Sequence, residues 1–178
     1  MEELEVSVEG QQEAINHHAE HSEERWLLYC ALIAAMLAVA AAVSGLYSSH
    51  FANEAMIEQM HASNNWGYYQ AKGIKAMLTE MHGDMLESEG KPVPGGIKQK
   101  IDGYHKEQEE IKNQATEEAA KSTTFLHQHE TLAKAVTAFQ IAIAVTAMSA
   151  ICRRKHFLIL TLVLSVGGIL FMLSAFSI

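Results

Sequence analysis

The sequence predicts an all-α membrane protein: three transmembrane helices, with a long extramembrane antiparallel helical hairpin, coiled-coil-like, between the first and second. Three observations predict it. Three blocks carry no Asp, Glu, Lys or Arg: Trp26 to Tyr47, Ala135 to Cys152 and Phe157 to Ile178. The polar stretch between the first two blocks has one strong helix break, GKPVPGG at residues 90–96, which holds both prolines of the chain. On either side of that break, residues recur at four-three spacing, and no period-two alternation supports a strand.

The elements follow in order. Residues 1–25 form an acidic tail in which eight Glu face only Arg25. Such a tail is read as disordered at first, with a helix from Gln11 onward. Its acidity, and the chain's net charge of −8, exclude nucleic acid as a partner. Residues 26–47 form the first transmembrane helix, since a lipid core of about 30 Å needs about 20 apolar helical residues. A late start and an acidic upstream flank set this block apart from a cleavable signal peptide.

The prolines cannot donate a backbone hydrogen bond, and the glycines accept unusual dihedrals. Residues 48–131 are therefore read as two long helices joined by one tight turn. Each arm carries a heptad. In the first arm Met56, Met60, Ser63, Gly67, Gln70, Ile74, Met77 and Met81 step by four and three. In the second, Ile97, Ile101, Tyr104, Gln108, Ile111, Ala115, Glu118, Ser122, Phe125, His129 and Leu132 do the same. Sustained four-three spacing indicates a left-handed coiled-coil seam. No turn signal separates Tyr47 from the first arm, so the first apolar helix either runs on into the arm or stops at a cap in SSHFANEAM.

The second transmembrane helix spans 132–152, with Lys134 snorkelling to the headgroups. Residues 153–156 form a basic loop, and 157–178 form the third transmembrane helix. Arg153, Arg154 and Lys155 favour the cytoplasmic side, and short loops follow this rule best. The N-terminus is then cytoplasmic, and residues 48–131 are periplasmic or extracellular. The eight Lys scattered over that region do not change the assignment, since long segments translocate largely regardless of charge. Cys30 and Cys152 are read as two reduced thiols at lipid level.

The stretch NNWGYYQAKGIKAML, residues 64–78, places Trp66, Tyr68 and Tyr69 beside Gly67 and Gly73, with Gln70, Lys72 and Lys75. Folding the chain at residues 92–95 pairs positions whose numbers sum to roughly 187, give or take a turn. Gly67 then faces Ala119 and Ala120, while Lys72 and Lys75 face Glu110, Glu117 and Glu118. Glycine in mid-helix costs about 1 kcal/mol relative to Ala, which is repaid where another backbone comes close. A packing station is the reading we favour. The other is a ligand or partner site on Trp66, Tyr68 and Lys72, a contact between subunits being its foremost form.

The same stretch resembles the signature W-x-Y-Y-Q-A-K-x-I-K of a bacterial membrane-protein family known only as domain of unknown function 4337. Trp66, Tyr69, Gln70, Lys72 and Lys75 carry the match. The layout of polar tail, apolar helix, long helical region and two closing apolar helices is also similar, over nearly the whole chain. The resemblance implies a bacterial envelope protein, and with the three apolar helices the location expected is the bacterial inner membrane. It implies no activity, substrate or catalytic residue.

Chemistry has little support. No nucleophile grouping or Gly-rich phosphate loop is present, so the chain is read as a non-enzyme without a cofactor. His17, His18 and His21 form HHAEH in the tail, and His17 and His21 would share a helix face, which leaves a metal-handling reading for copper or zinc. His61 and His82 among Met56, Met60, Met81 and Met85 offer a second version. In the second apolar block Gln140 is the conspicuous polar residue, with Thr137 and Thr146 nearby. It serves either a helix–helix hydrogen bond or the lining of an oligomeric channel. Small residues recur every four, at Ala34, Ala38 and Ala42 and at Ala138, Ala142, Thr146 and Ala150, which favours close helix contact in lipid. The partners expected are membrane lipid, further copies of the chain, and a protein docked on the hairpin.

Overall fold

The computed structural model describes residues 8–177, with side chains from residue 25 onward. Expectations for the acidic tail, including His17, His18 and His21, lie outside the described side chains. Three helices make up the described chain: α1 (Val8–Ser88), α2 (Gly96–Cys152) and α3 (Lys155–Ala175). No strand occurs among the described residues. The protein is all-α, and all three helices are long and apolar enough to cross a membrane. The first apolar block and the segment after it belong to one unbroken helix, as the missing turn signal allowed.

The breaks have clear physical causes. Gly90, at φ +71°, ends α1. The Lys91 amide donates to the Leu86 carbonyl at 2.9 Å and the Gly90 amide to the Glu87 carbonyl at 3.0 Å. This is the paired bond pattern of a Schellman cap, which uses the left-handed residue glycine adopts without penalty. Pro94 then accepts from the Ile97 amide at 3.0 Å as α2 starts. Between α2 and α3 the chain reverses through Arg153, at φ +52°, a left-handed conformation that costs an L-residue energy. Ser149 Oγ donates to the Arg154 carbonyl at 3.2 Å and braces that turn.

The molecule divides into two compact units, one built from the chain up to Ser48 and from Glu130 onward, the other from Ser49–His129. The core of the first unit gathers Leu37, Ala135, Phe139 and Ala142, with Ile33, Ala40, Ala41, Ile143, Leu164 and Met172 packed around them. The buried face of α1 here repeats every seven residues, at Cys30, Leu37 and Ser44. Of the two expected small-residue stripes, the one on α1 is largely outside this face, with Ala38 and Ala42 exposed and Ala34 half-buried, whereas Ala138, Ala142, Thr146 and Ala150 of α2 are all buried or half-buried. Cys30 is buried, Cys152 is exposed, and both are free thiols. Thr146 Oγ1 donates to the Ala142 carbonyl at 2.8 Å and lies 3.2 Å from Thr161 Oγ1 of α3. Its hydroxyl is thus satisfied between two helices.

In the second unit, partner numbers fall as residue numbers rise. Phe51 stacks on Phe125, Ser122 Oγ donates to the Ala55 carbonyl at 2.8 Å, and Asn65 Nδ2 donates to Glu118 Oε2 at 2.8 Å. Farther on, Gln108 Nε2 donates to the Tyr69 carbonyl at 3.1 Å, and Gly83 lies against Ile97. These partners fall short of the expected register by roughly one to three helical turns.

The phase of the first arm also differs. Every position of its expected heptad, from Met56 to Met81, is exposed. The buried positions are instead Ala55, Ala62, Ala76 and Gly83, with Tyr69 completing the seven-residue repeat. Small side chains let two helix backbones approach, and the large residues of α2 fill the space over them. The α2 seam has the phase its spacing indicates: each position from Ile97 to Leu132 is buried or half-buried.

Candidate functional site

The stretch at residues 64–78 lies on α1 within the second unit, and helical geometry splits it between two faces. Asn65, Tyr69, Lys72 and Ala76 step by four and three and, with Gly73, are the buried or half-buried residues of the stretch. Gly67, Tyr68, Gln70, Ile74 and Lys75 are exposed. Trp66 sits at the boundary, 38% exposed, with its ring edge-on to Tyr69 at 5.5 Å.

The inward half is a continuous set of contacts. Gln108 uses both ends of its amide: Nε2 binds the Tyr69 carbonyl, and Oε1 faces His105 Nδ1 at 3.3 Å. A Cβ on Gly73 would lie 2.7 Å from Gln108 Nε2, so glycine makes room for that amide. Lys72 forms an ion pair with Glu107 and lies 5.6 Å from the centroid of the Tyr104 ring. A cation over an aromatic face is attracted by the ring quadrupole. Glu118 accepts from Asn65 of α1.

Two expectations are thereby corrected. Gly67 does not approach Ala119 or Ala120: a Cβ there would meet nothing within 4 Å. The glycine in close contact is Gly73, because it shares the inward face with Tyr69 and Ala76. Lys72 pairs with Glu107 instead of Glu110, Glu117 or Glu118, as the shifted register requires, and Lys75 is exposed. On the outer side of α2, Glu117 pairs with Lys121 at 2.7 Å. The hydrogen bond and then the charge of Lys121 hold the Glu117 carboxyl below its ordinary value, and Glu117 raises the Lys121 ammonium in return.

The outward half leaves a shallow notch lined by Asn64, Gly67, Tyr68 and Ala71. Beyond it, large apolar side chains lie open along the same face of α1. The exposure of so many could not be read from the sequence, where these residues form the stronger heptad.

In the first unit, Gln140, Thr137 and Thr146 do not form one constellation. Thr146 is buried against α3, whereas Gln140 and Thr137 are exposed on α2. Thr137 Oγ1 donates back to the Ala133 carbonyl at 2.9 Å. The residue that sequence reading passed over is Phe139. It is 1% exposed, at the centre of the core, and its ring covers Gly168. Among the described residues, no three His, Cys, Asp or Glu gather in a group that could hold a metal ion.

The sequence profile of a protein family described as a domain of unknown function (DUF4337) matches residues 26–178. No curated protein and no solved structure matches the chain.

Proposed function

The chain belongs to the DUF4337 family, and within that family we propose that it is a non-catalytic, homo-oligomeric inner-membrane protein presenting an antiparallel helical hairpin as a scaffold or docking arm. The observation that carries this reading is Gln140. Its amide is exposed on the flank of an apolar helical segment of membrane-crossing length. A polar amide facing hydrocarbon lacks the partners water would supply and is stabilised by hydrogen bonding to another helix. A second copy of the chain offers that helix.

Further features support the remaining parts. Leu28, Leu32, Met36, Val39 and Leu46 on α1 and Ile159, Leu162, Val163, Leu170 and Leu173 on α3 are mostly exposed. Apolar surface on that scale suits lipid rather than water. The falling partner numbers of residues 51–83 fit a hairpin, and Arg153, Arg154 and Lys155 fit a cytoplasmic loop that leaves the hairpin outside.

The test is the mass of the detergent-solubilised protein by chromatography with light scattering. We expect a discrete multimer, and a Gln140→Leu variant that dissociates at lower detergent. A single-chain mass for the unmodified protein overturns the proposal. Labelling of Val93→Cys but not Leu4→Cys from outside intact cells is the expected topology, and the reverse pattern inverts it.

A second reading rests on the same residue. Gln140 and Thr137 lie on one exposed face, three residues apart, and in a ring of copies that face would line a polar path. Solute or ion flux through vesicles containing the purified protein, abolished by Gln140→Leu, would favour a channel over a scaffold.

A further inference from the structure

The first arm carries two heptads, and α2 covers only one. Met56, Met60, Ile74, Met77 and Met81 lie on the uncovered one and are between 55% and 64% exposed. Met60, Ile74 and Met81 lie five residues beyond a position of the Ala55–Ala62 seam, about 140° around the helix, and Met56 and Met77 one residue beyond, about 100° around it. Ile57, Leu78 and Met85 widen the stripe. We propose that this stripe is a parallel, in-register seam between two copies of this chain. The proposal rests on the oligomeric membrane reading above and names the surface through which the arms meet.

Three observations, and the common membrane orientation proposed above, support a second copy as the occupant. Four-three spacing is the pattern that a second helix, not a flat surface, interlocks with. The area is of the right order: fully covered, the eight half-exposed side chains named would bury up to roughly 800 Å² per copy, the usual contribution to a stable interface. From residue 57 to residue 78 the positions flanking the stripe are Ile57, Gln59, Asn64, Trp66, Ala71, Gly73 and Leu78, none of them charged, and Glu80 beside Met81 is the first acidic one. Charges at such positions select partners and repel like copies, and this acidic chain keeps most of the stripe clear of them. Finally, copies inserted the same way in one bilayer present the stripe at one height and with one polarity.

In that register Gln70 meets Gln70 of the second copy, and the two amides bond to each other. A shift by half a heptad would set the amide against an apolar side chain. Ser63, one heptad earlier, is the other polar position of the seam, and buried polar layers in an apolar seam fix register in this way. The notch at Gly67 lies one step before it and admits the neighbouring helix closely.

The experiment is disulfide trapping in native membranes. Full-length protein carrying Cys30→Ala and Cys152→Ala receives Gln70→Cys, Met77→Cys or, on the outer side of α2, Glu109→Cys. We expect a band of twice the chain mass from the first two at least fivefold stronger than from the third. Two positions are used so that one misfolded variant does not decide the result. Equal trapping at all three positions, or bands of some other mass, overturns the seam. If the unmodified chain is multimeric by light scattering while positions 70 and 77 do not trap, the seam fails and the oligomeric reading stands. A single-chain mass removes both.

Discussion

Gly168 of α3 lies directly under the ring of Phe139 of α2: a Cβ at residue 168 would sit 2.6 Å from Cε1 and 2.9 Å from Cδ1 and Cζ. No rotamer adjustment at a flexible tip relieves this, because Phe139 is itself enclosed, at 1% exposure. Gly167, one residue earlier, would place a Cβ in open space. Gly168→Ala should therefore destabilise the protein by about 1–3 kcal/mol, the usual cost of overpacking. Gly167→Ala should be neutral or slightly stabilising, since Ala is the better helix former. Thermal unfolding of both variants in the same detergent checks the contrast. Equal effects would mean that the ring does not rest on residue 168.

The arms depend on small residues in the same way. Ala62 is 1% exposed and Ala115 fully buried. Ala62→Leu forces the arms apart or the side chain into a poor rotamer, at about 1–3 kcal/mol. Ala120→Leu, on an exposed position of α2, should change stability by no more than about 0.5 kcal/mol. Circular dichroism melts of the two variants give the comparison. A harmless Ala62→Leu would show that the arms do not pack through this face.

Lys72 and Glu107 form a partly exposed ion pair beside the Tyr104 ring. The coupling of such a pair is about 0.2–1 kcal/mol. A double-mutant cycle with Lys72→Met and Glu107→Gln should recover a coupling in that range, and it should shrink as salt is raised toward 1 M, where the Debye length is about 3 Å. A coupling that ignores salt would place the attraction in the lysine's aliphatic stem or the ring instead of in the paired charges.

How far the sequence is legible differs between the arms. In α2 the large residues themselves mark the seam, from Ile97 through Tyr104, Ile111 and Phe125, so spacing alone identifies the buried side. In α1 two stripes share one helix. The more apolar, through Met56, Met60, Ile74, Met77 and Met81, is exposed, and the blander, through Ala55, Ala62 and Ala76, is buried. Hydrophobicity ranks them the wrong way round, because close approach of two backbones rewards small volume. The stretch around Trp66 was legible as a helix carrying contacts. Which of its glycines was in contact depended on a register that loop position alone estimated roughly one to three turns too far along α2.

By itself, the sequence determined the helical class, the three spans of membrane length, the break at the prolines and the inward phase of α2. These follow from local chemistry: uncharged runs of sufficient length, residues that cannot continue a helix, and a periodicity of large side chains. Only the tertiary structure decided which face of α1 meets α2, that Gly73 and Gly168 rather than Gly67 are the crowded glycines, and that Thr146 is buried while Gln140 faces outward. Those outcomes depend on how near two helices come and at what rotation, and that is set by volumes contributed from both partners at once.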